Sequence, residues 1–437
     1  MLLELQNILK IKSASIEIGG LTVIAGENNT GKSTIGKILF SIIKAYLNSK
    51  DITISEIQES ILNSLTNLNR IIDKNHSQKN NNLDINDLAD TLVNNENYYP
   101  IFRNLIEEKV NSLLLTQRGH KIIQSILDTI KDNLEMRFHP EEKFHQELKR
   151  IFQSEFRESV KSFGSTEGRI RFKDDTLSET QESLSVTITE DGSFKQYTPG
   201  YIPTINDITL IESSIFLPYV SLFNSNDIDF PGYQLLGSKK RVPIHLKDMA
   251  QKLTDISTNF PNLLTPDDIR SLHAKINEVI KGEFQVDDTS RQIDFVSEEH
   301  IIPTISVASG IKSFGVIQRL LETENLSSEK ILIWDEPEIH LHPHWQVLCC
   351  ESIISLVKAG IPVIISSHSP YFIQGIRYFA AAEGIEDDVK YYLTETDDDK
   401  DELCTVSEVT HDINKVFSLL ADPLRRIMNV SEAKTKK

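Results

Sequence analysis

Gly26-Glu27-Asn28-Asn29-Thr30-Gly31-Lys32-Ser33 fits the pattern G-x-x-x-x-G-K-[ST], and its flanks decide how the chain begins to fold. Leu21-Thr22-Val23-Ile24-Ala25 ahead of it is a short apolar β-type run; behind it Ile35, Ile38, Leu39, Ile42, Ile43 and Tyr46 recur at helical spacing. The order is strand, glycine loop, helix. Two glycines let successive backbone N–H groups turn inward around a phosphate, and the new helix adds unpaired amides and the positive end of its dipole. The pattern predicts nucleotide contacts from Gly26, Asn28, Asn29, Thr30, Gly31, Lys32, Ser33 and Thr34. Lys32 is expected to reach the β and γ phosphates and Ser33 to ligate Mg²⁺.

Far downstream, Ile331-Leu332-Ile333-Trp334-Asp335-Glu336 is an apolar strand ending in two carboxylates, the form of a Walker B element. Asp335 is expected to hold Mg²⁺ and Glu336 to polarise the attacking water as general base, with Pro337 ending the strand. Ile361 to Ser367 is a second buried-type strand that ends in His368, placed to donate to a γ-phosphate. Between loop and Walker B strand, Val307-Ala308-Ser309-Gly310-Ile311-Lys312-Ser313-Phe314 stands just ahead of an amphipathic helix. That is an anion site with no phosphate of its own in the chain, which points to a nucleotide held by another subunit.

Phosphate loop, Ser-Gly signature, Ile-Trp-Asp-Glu-Pro and strand-end histidine, in this order and spacing, resemble the ATP-binding-cassette ATPases. Within that superfamily, Asp335-Glu336-Pro337-Glu338-Ile339-His340-Leu341-His342-Pro343 and Ala308 to Ser313 resemble one AAA-family branch. It holds the OLD-type ATPases, the SMC and RecF-like heads and the PtuA-type ATPases of Septu antiviral defence. The matching motifs cover residues 20 to 46 and about 300 to 375. The resemblance implies an α/β ABC-ATPase head, a P-loop core sheet with an antiparallel β subdomain, carrying helical insertions. It implies ATP and Mg²⁺ as cofactors, ATP hydrolysis, and Ser309, Gly310 and Lys312 serving the γ-phosphate across a homodimer or higher homo-oligomer. His340 to Pro343 stands where the D-loop lies, and Pro343 breaks the alternation that a His340, His342, His344 metal site would need.

Departures from the family pattern matter as much. No glutamine for the Mg²⁺-sensing loop follows the strand at 207 to 211; Glu212 and Ser213 stand there instead. The signature is not the Leu-Ser-Gly-Gly-Gln of transporters. The stretch after His368 is too short for the TOPRIM nuclease domain of OLD-type proteins, Asp397-Asp398-Asp399 lies in an acidic loop, and no His-Asn-His pattern is present. Cleavage is therefore expected to come from a separate nuclease or toxic effector, controlled by this chain as an ATP-driven sensor in anti-phage defence. A DNA-repair or SMC-like DNA-binding head and a nucleotide-locked scaffold are the alternatives.

The rest of the chain frames that reading. Its 437 residues suit one large α/β domain with insertions, and 39% hydrophobic with 25% charged residues is the balance of a soluble globular protein. No apolar run approaches a membrane span and no signal-peptide pattern opens the chain, so a cytoplasmic location without membrane contact is expected. A net charge of −18 argues against a nucleic-acid-attracting surface, leaving only a local groove for nucleic acid as a partner. From Glu383 to Glu402 there are ten carboxylates against Lys390 and Lys400, read as an exposed acidic loop around a strand-like Val389 to Leu393. Gly237-Ser238-Lys239-Lys240-Arg241 reads as a basic surface turn, and Cys349, Cys350 and Cys404 show no metal spacing. The organisation expected is 1–46 as the first part of the head, 47–165 a helical insertion, and 166–243 β elements of the head. Then come 244–285, a second helical segment, and 286–437, the part with signature, Walker B and strand-end histidine.

Overall fold

The computed structural model describes residues 1–50, 54–75, 85–95, 97–111, 117–138, 140–157, 160–162, 164–175, 183–198, 202, 204–224, 242–255, 267–287, 289–297, 300–396 and 403–421. The basic turn at 237–241 and Asp397 to Asp399 lie outside the described residues, as does most of the polar break from Lys74 to Asn82. The chain divides into two compact units, Met1–Lys44 with Arg150–Lys437, and Ala45–Lys149.

In the first unit the chain opens with β1 (Leu2–Ile8), β2 (Ile11–Glu17) and β3 (Leu21–Gly26), followed by helix α1 (Lys32–Lys50). The second unit holds α2 (Ile54–Asn75), α3 (Ile85–Asn94), α4 (Tyr98–Asn111) and α5 (Gln117–Phe138), and α6 (Pro140–Glu155) ends in the first. The first unit continues with β4 (Glu167–Lys173), β5 (Leu184–Thr189), β6 (Phe194–Thr198), β7 (Asp207–Ile211), α7 (Val220–Asn224), α8 (Ile244–Thr254) and α9 (Asp267–Ile280). Next are β8 (Glu283–Val286), β9 (Ile293–Val296), β10 (Ile301–Pro303), α10 (Ser309–Glu322), β11 (Lys330–Asp335) and α11 (Pro343–Lys358). The last elements are β12 (Val363–Ser367), α12 (Pro370–Ala382), β13 (Val389–Thr396), β14 (Cys404–Glu408) and α13 (Asn414–Leu420).

One sheet of eleven strands runs β6-β5-β4-β1-β2-β14-β13-β3-β12-β11-β7. Its two halves obey different rules. From β13 to β7 every pair is parallel, and β3 and β12 are buried along their whole length, as near-continuous apolar runs must be when helices cover both faces. From β6 to β2 the pairs are antiparallel, and in β4 and β5 buried residues alternate with more exposed ones because one face is solvated. The α/β class and the antiparallel β element ahead of the loop strand are thus as expected. A three-stranded sheet of β8, β9 and β10 was not foreseen. β8 begins at Glu283, inside the stretch read as helical, since strands this short carry too few alternations to register as a period.

The second unit has an apolar core of its own. Ile57, Ile61, Leu65, Leu68 and Ile72 recur at helical spacing along α2 and pack with Leu92, Phe102, Ile106, Leu127 and Ile130 from the other helices. In the first unit α1 is held by a largely shielded quartet of charges. Lys44 lies 2.6 Å from Asp207 Oδ1 and 2.7 Å from Asp248 Oδ1, while Lys252 lies 2.7 Å from Asp207 Oδ2 and 2.9 Å from Asp248 Oδ2. Two positive and two negative groups cancel, which is what lets them sit in the interior. No described helix is long and apolar enough to cross a membrane.

Candidate nucleotide site

The loop strand β3 is flanked by β12 and β13, both parallel to it, so residues 26 to 33 leave the sheet at its carboxyl edge. Crevices at that edge are where open α/β sheets take their ligands. Gly26 is paired in register with Thr394 of β13. A Cβ on Gly26 would fall 1.9 Å from Thr394 Oγ1 and 2.9 Å from its carbonyl oxygen, so no side chain fits. Thr30 Oγ1 stands 2.6 Å from Thr394 Oγ1 and donates to the Glu27 carbonyl at 2.8 Å, folding the loop down on β13. Asn28 and Asn29 are exposed at its tip, Asn29 with a left-handed φ of 67°. Gly31 precedes α1, and Ser33 and Thr34 lie in its first turn.

Lys32 is buried, and its ammonium donates to the carbonyls of Gly26 at 3.0 Å and Glu27 at 2.6 Å. Burial pushes its pKa down, opposed by the carboxylates of Glu336 and Asp335. The cation is therefore held inside the loop and faces both Walker B carboxylates.

Those carboxylates go to different partners. Asp335 ends β11 in register with Ser366 of β12 and accepts hydrogen bonds from the hydroxyls of Ser366 and Ser33. Burial raises its pKa, against the effect of those two bonds. A hydroxyl beside a carboxylate is the hard oxygen set that suits Mg²⁺, so Ser33 and Asp335 fit the ion the family pattern implies. At Glu336 the backbone turns left-handed, φ 46°, a conformation costing on the order of 1 kcal/mol or more in a non-glycine residue. The turn is held by Glu336 N–H, which donates to the Ser366 carbonyl and hydroxyl, each at 3.1 Å. The Glu336 carboxylate meets His368 instead: Oε1 lies 3.2 Å from Nδ1. Behind them Glu338 is buried, accepts from Ser367 Oγ at 2.6 Å and stands 4.0 Å from the same Nδ1; burial pushes its carboxyl up.

Ser309 and Gly310 open α10, whose N-cap Ala308 offers no side-chain acceptor to the first amides. A Cβ on Gly310 would lie 3.0 Å from the Trp345 ring and 3.4 Å from Leu341, so glycine lets the head of α10 pack under α11. Lys312 is largely buried, which lowers its pKa. Ser313 Oγ and Ser214 Oγ are 2.9 Å apart. Among the described residues no hydrogen bond or ion pair joins Ser309, Gly310 or Lys312 to the phosphate loop. His340 is exposed with φ 65°, and His342 caps α11, its ring nitrogen accepting from the His344 N–H at 3.3 Å.

Thr394 and Ser366 were not singled out from the sequence. Each is a hydroxyl one strand away from the residue it serves, and only the parallel register brings them together.

Among solved structures, the chain is similar to an SMC head bound to the C-winged helix domain of ScpA, at 11% identity over 95% of this chain and 98% of that one, with a TM-score of 0.41. It is similar also to the SMC head domain from Thermotoga maritima, at 9% identity over 93% and 98%, with a TM-score of 0.36. An ATP-binding cassette of an ABC transporter in its ADP conformation matches at 10% identity over 98% of each chain, with a TM-score of 0.31. No curated protein matches this chain. A family model described as the AAA ATPase domain matches residues 1–373, most of the chain and every motif placed above, and the protein belongs to that family.

Proposed function

We propose that the chain binds ATP with Mg²⁺ and hydrolyses it at a site completed by a second copy. The observation that carries this reading is the division of labour at the end of β11. Asp335 turns to Ser33, while Glu336 turns away to His368. On this reading the loop amides and Lys32 hold the phosphates, and Ser33 with Asp335 holds the metal. Glu336 takes the proton of the attacking water, and His368 fixes the direction of that carboxylate. The bound cation would neutralise charge on the phosphate oxygens.

Ser309, Gly310 and Lys312 serve the facing copy. Two features support this: the amides at the head of α10 lack a side-chain cap, and exposed Ile215, Tyr219 and Ile305 lie on short helical turns, the first of which packs against α10 and the second against the first. In the cell the chain acts as the sensor of an anti-phage defence system that controls a separate nuclease or toxic effector, a reading supported by the motif resemblance at 308–313 and 335–343.

Nucleotide binding and phosphate release test the chemistry together. Lys32→Ala loses binding. Glu336→Gln keeps it and slows release by about a hundredfold or more, the scale of a lost general base. Tight binding by wild type with no release above the Glu336→Gln background would leave a scaffold, not an ATPase. Ser309→Arg keeps binding but not turnover, and mixing it with Lys32→Ala restores one composite site. Full activity of Ser309→Arg alone would mean the site is not shared. Affinity purification from the native host recovers a nucleolytic or toxic partner, and a purified chain that cleaves DNA by itself would contradict the sensor reading.

A further inference from the structure

Past Glu336 the chain makes two successive turns. One is closed by the Ile339 N–H on the Glu336 carbonyl at 3.0 Å, the other by the Leu341 N–H on the Glu338 carbonyl at 3.1 Å. They bring the side chain of Glu338 beside the end of β12, where it is buried and its Oε1 accepts from the buried Ser367 hydroxyl at 2.6 Å.

The second oxygen of Glu338 is left over. Oε2 is buried and meets no hydrogen-bond partner among the described residues. The Ser367 hydroxyl has one hydrogen, which goes to Oε1, while its oxygen takes the Ser369 N–H at 3.1 Å. Burial is the main influence on this carboxyl and raises its pKa, opposed first by the Ser367 bond and further by the charge of His368. An ionised carboxylate lacks a donor at Oε2 and a neutral acid lacks an acceptor, so in both forms a buried polar atom goes unpaired, at a cost in stability. A clasp between the turn and β12 needs no such cost, because a glutamine amide would accept the same Ser367 bond through its oxygen.

What the carboxylate faces is His368. Nδ1 of that ring lies 3.2 Å from Glu336 Oε1 and 4.0 Å from Glu338 Oε1, and it is buried without a hydrogen bond among the described residues. It stands between two carboxylates and is bonded to neither. The two are not equivalent. Glu336, on the mechanism above, has to turn towards water, and a base that reaches for its substrate cannot also anchor the residue that aims it. Glu338, buried and tied to Ser367, can.

We propose that Glu338 is a positioning residue, the fixed carboxylate that holds the His368 ring from behind so that the ring can direct Glu336. The inference rests on the ATPase reading and assigns a residue which that reading does not use. Two measurements test it, the first without nucleotide. In protein isotopically labelled at the histidine ring nitrogens, the His368 signals are identified by their loss in His368→Ala. They report the share of the tautomer with its hydrogen on Nδ1, which a facing carboxylate favours. Glu338→Gln lowers that share and leaves the melting temperature no lower. In single-turnover phosphate release Glu338→Gln is about tenfold slower, a fraction of the loss expected for the base itself, with ATP affinity little changed. In the His368→Ala background the same substitution slows release no further, because Glu338 acts only through the ring.

An unchanged tautomer share, or release as fast as that of wild type, overturns the role and leaves the ATPase reading standing. A loss that persists undiminished in the His368→Ala background, or that tracks a lowered melting temperature, also overturns it and leaves Glu338 a structural clasp. Wild type that releases no phosphate removes the reading beneath it, and the role with it.

Discussion

Nδ1 of His368 stands 3.2 Å from Oε1 of Glu336, joining the residue after β12 to the residue after β11 across the carboxyl edge of the sheet. Both lie where their strands end. On the proposed mechanism this contact sets the direction of the base. His368→Ala is expected to lower phosphate release by about a hundredfold, within the range of a mispositioned general base, and to change ATP affinity far less. Single-turnover release and equilibrium binding on the same preparation decide it, and unchanged release rules the contact out of the chemistry.

Gly26→Ala is expected to lower ATP affinity more than tenfold. The new methyl meets Thr394 Oγ1, and with φ at 156° the backbone is in a region that suits glycine alone. Thr394→Ala in the same chain should not restore binding, because the Thr394 carbonyl, 2.9 Å from the added carbon, remains. Recovery in that double variant would mean that the hydroxyl was the whole obstacle.

The quartet of Lys44, Asp207, Asp248 and Lys252 balances only while complete. Burial opposes the charge of Asp207, yet Lys252 and Lys44 more than offset it and hold the carboxyl below its ordinary range. Asp207→Asn leaves two largely shielded ammonium groups on one carboxylate and is expected to cost about 3 kcal/mol, read from the urea midpoint at constant slope. ATP affinity well below the transition should be unchanged. A loss within about 0.5 kcal/mol would place the quartet in solvent rather than in the interior.

Burial disfavours the charge on His245, but the hydrogen bond to Glu155 and the close carboxylate of Glu212 outweigh it and raise its pKa above the usual 6.5. The groups facing the ring are those two carboxylates and, edge-on at 6.2 Å, Phe40. A histidine whose pKa is higher folded than unfolded stabilises fully below 6.5, and that contribution is lost as pH rises through the raised value. Glu212 carries the opposite sign. Its pKa is held down at about 2, first by the His245 ring beside it, so its share is present above 4.5 and is lost as pH falls through about 2. The melting temperature of wild type should exceed that of His245→Gln near pH 6, with the gap closing as pH rises. A gap that widens with pH would mean a neutral imidazole.

The loop, the Walker B strand and the strand-end histidine were legible because each is local: a strand, a turn chemistry and a helix within a dozen or so residues. Glu212 was visible as an anomaly, a carboxylate standing where a glutamine was sought. Its partners were not, since His245 and Glu155 are set by how α8 and α6 pack rather than by any spacing along the chain. Val389 to Leu393 read as a strand beside an acidic loop, yet nothing in those five residues says that β13 lies directly against the loop strand. Periodicity reports which face of an element is buried, not which neighbour buries it.

That neighbour has a consequence for how the protein is made. β3 leaves the ribosome early, but its two sheet partners, Val363–Ser367 and Val389–Thr396, are synthesised some 340 residues later or more. Such long-range parallel pairing is slow to form, and until it does the loop lacks Thr394 beside it and Asp335 lacks Ser366. A nascent chain stalled before residue 389 should therefore fail to retain a nucleotide analogue, and one stalled well past Glu408 should capture it. On the proposed mechanism the loop, translated early, would act only once β12 and β13 have joined β3.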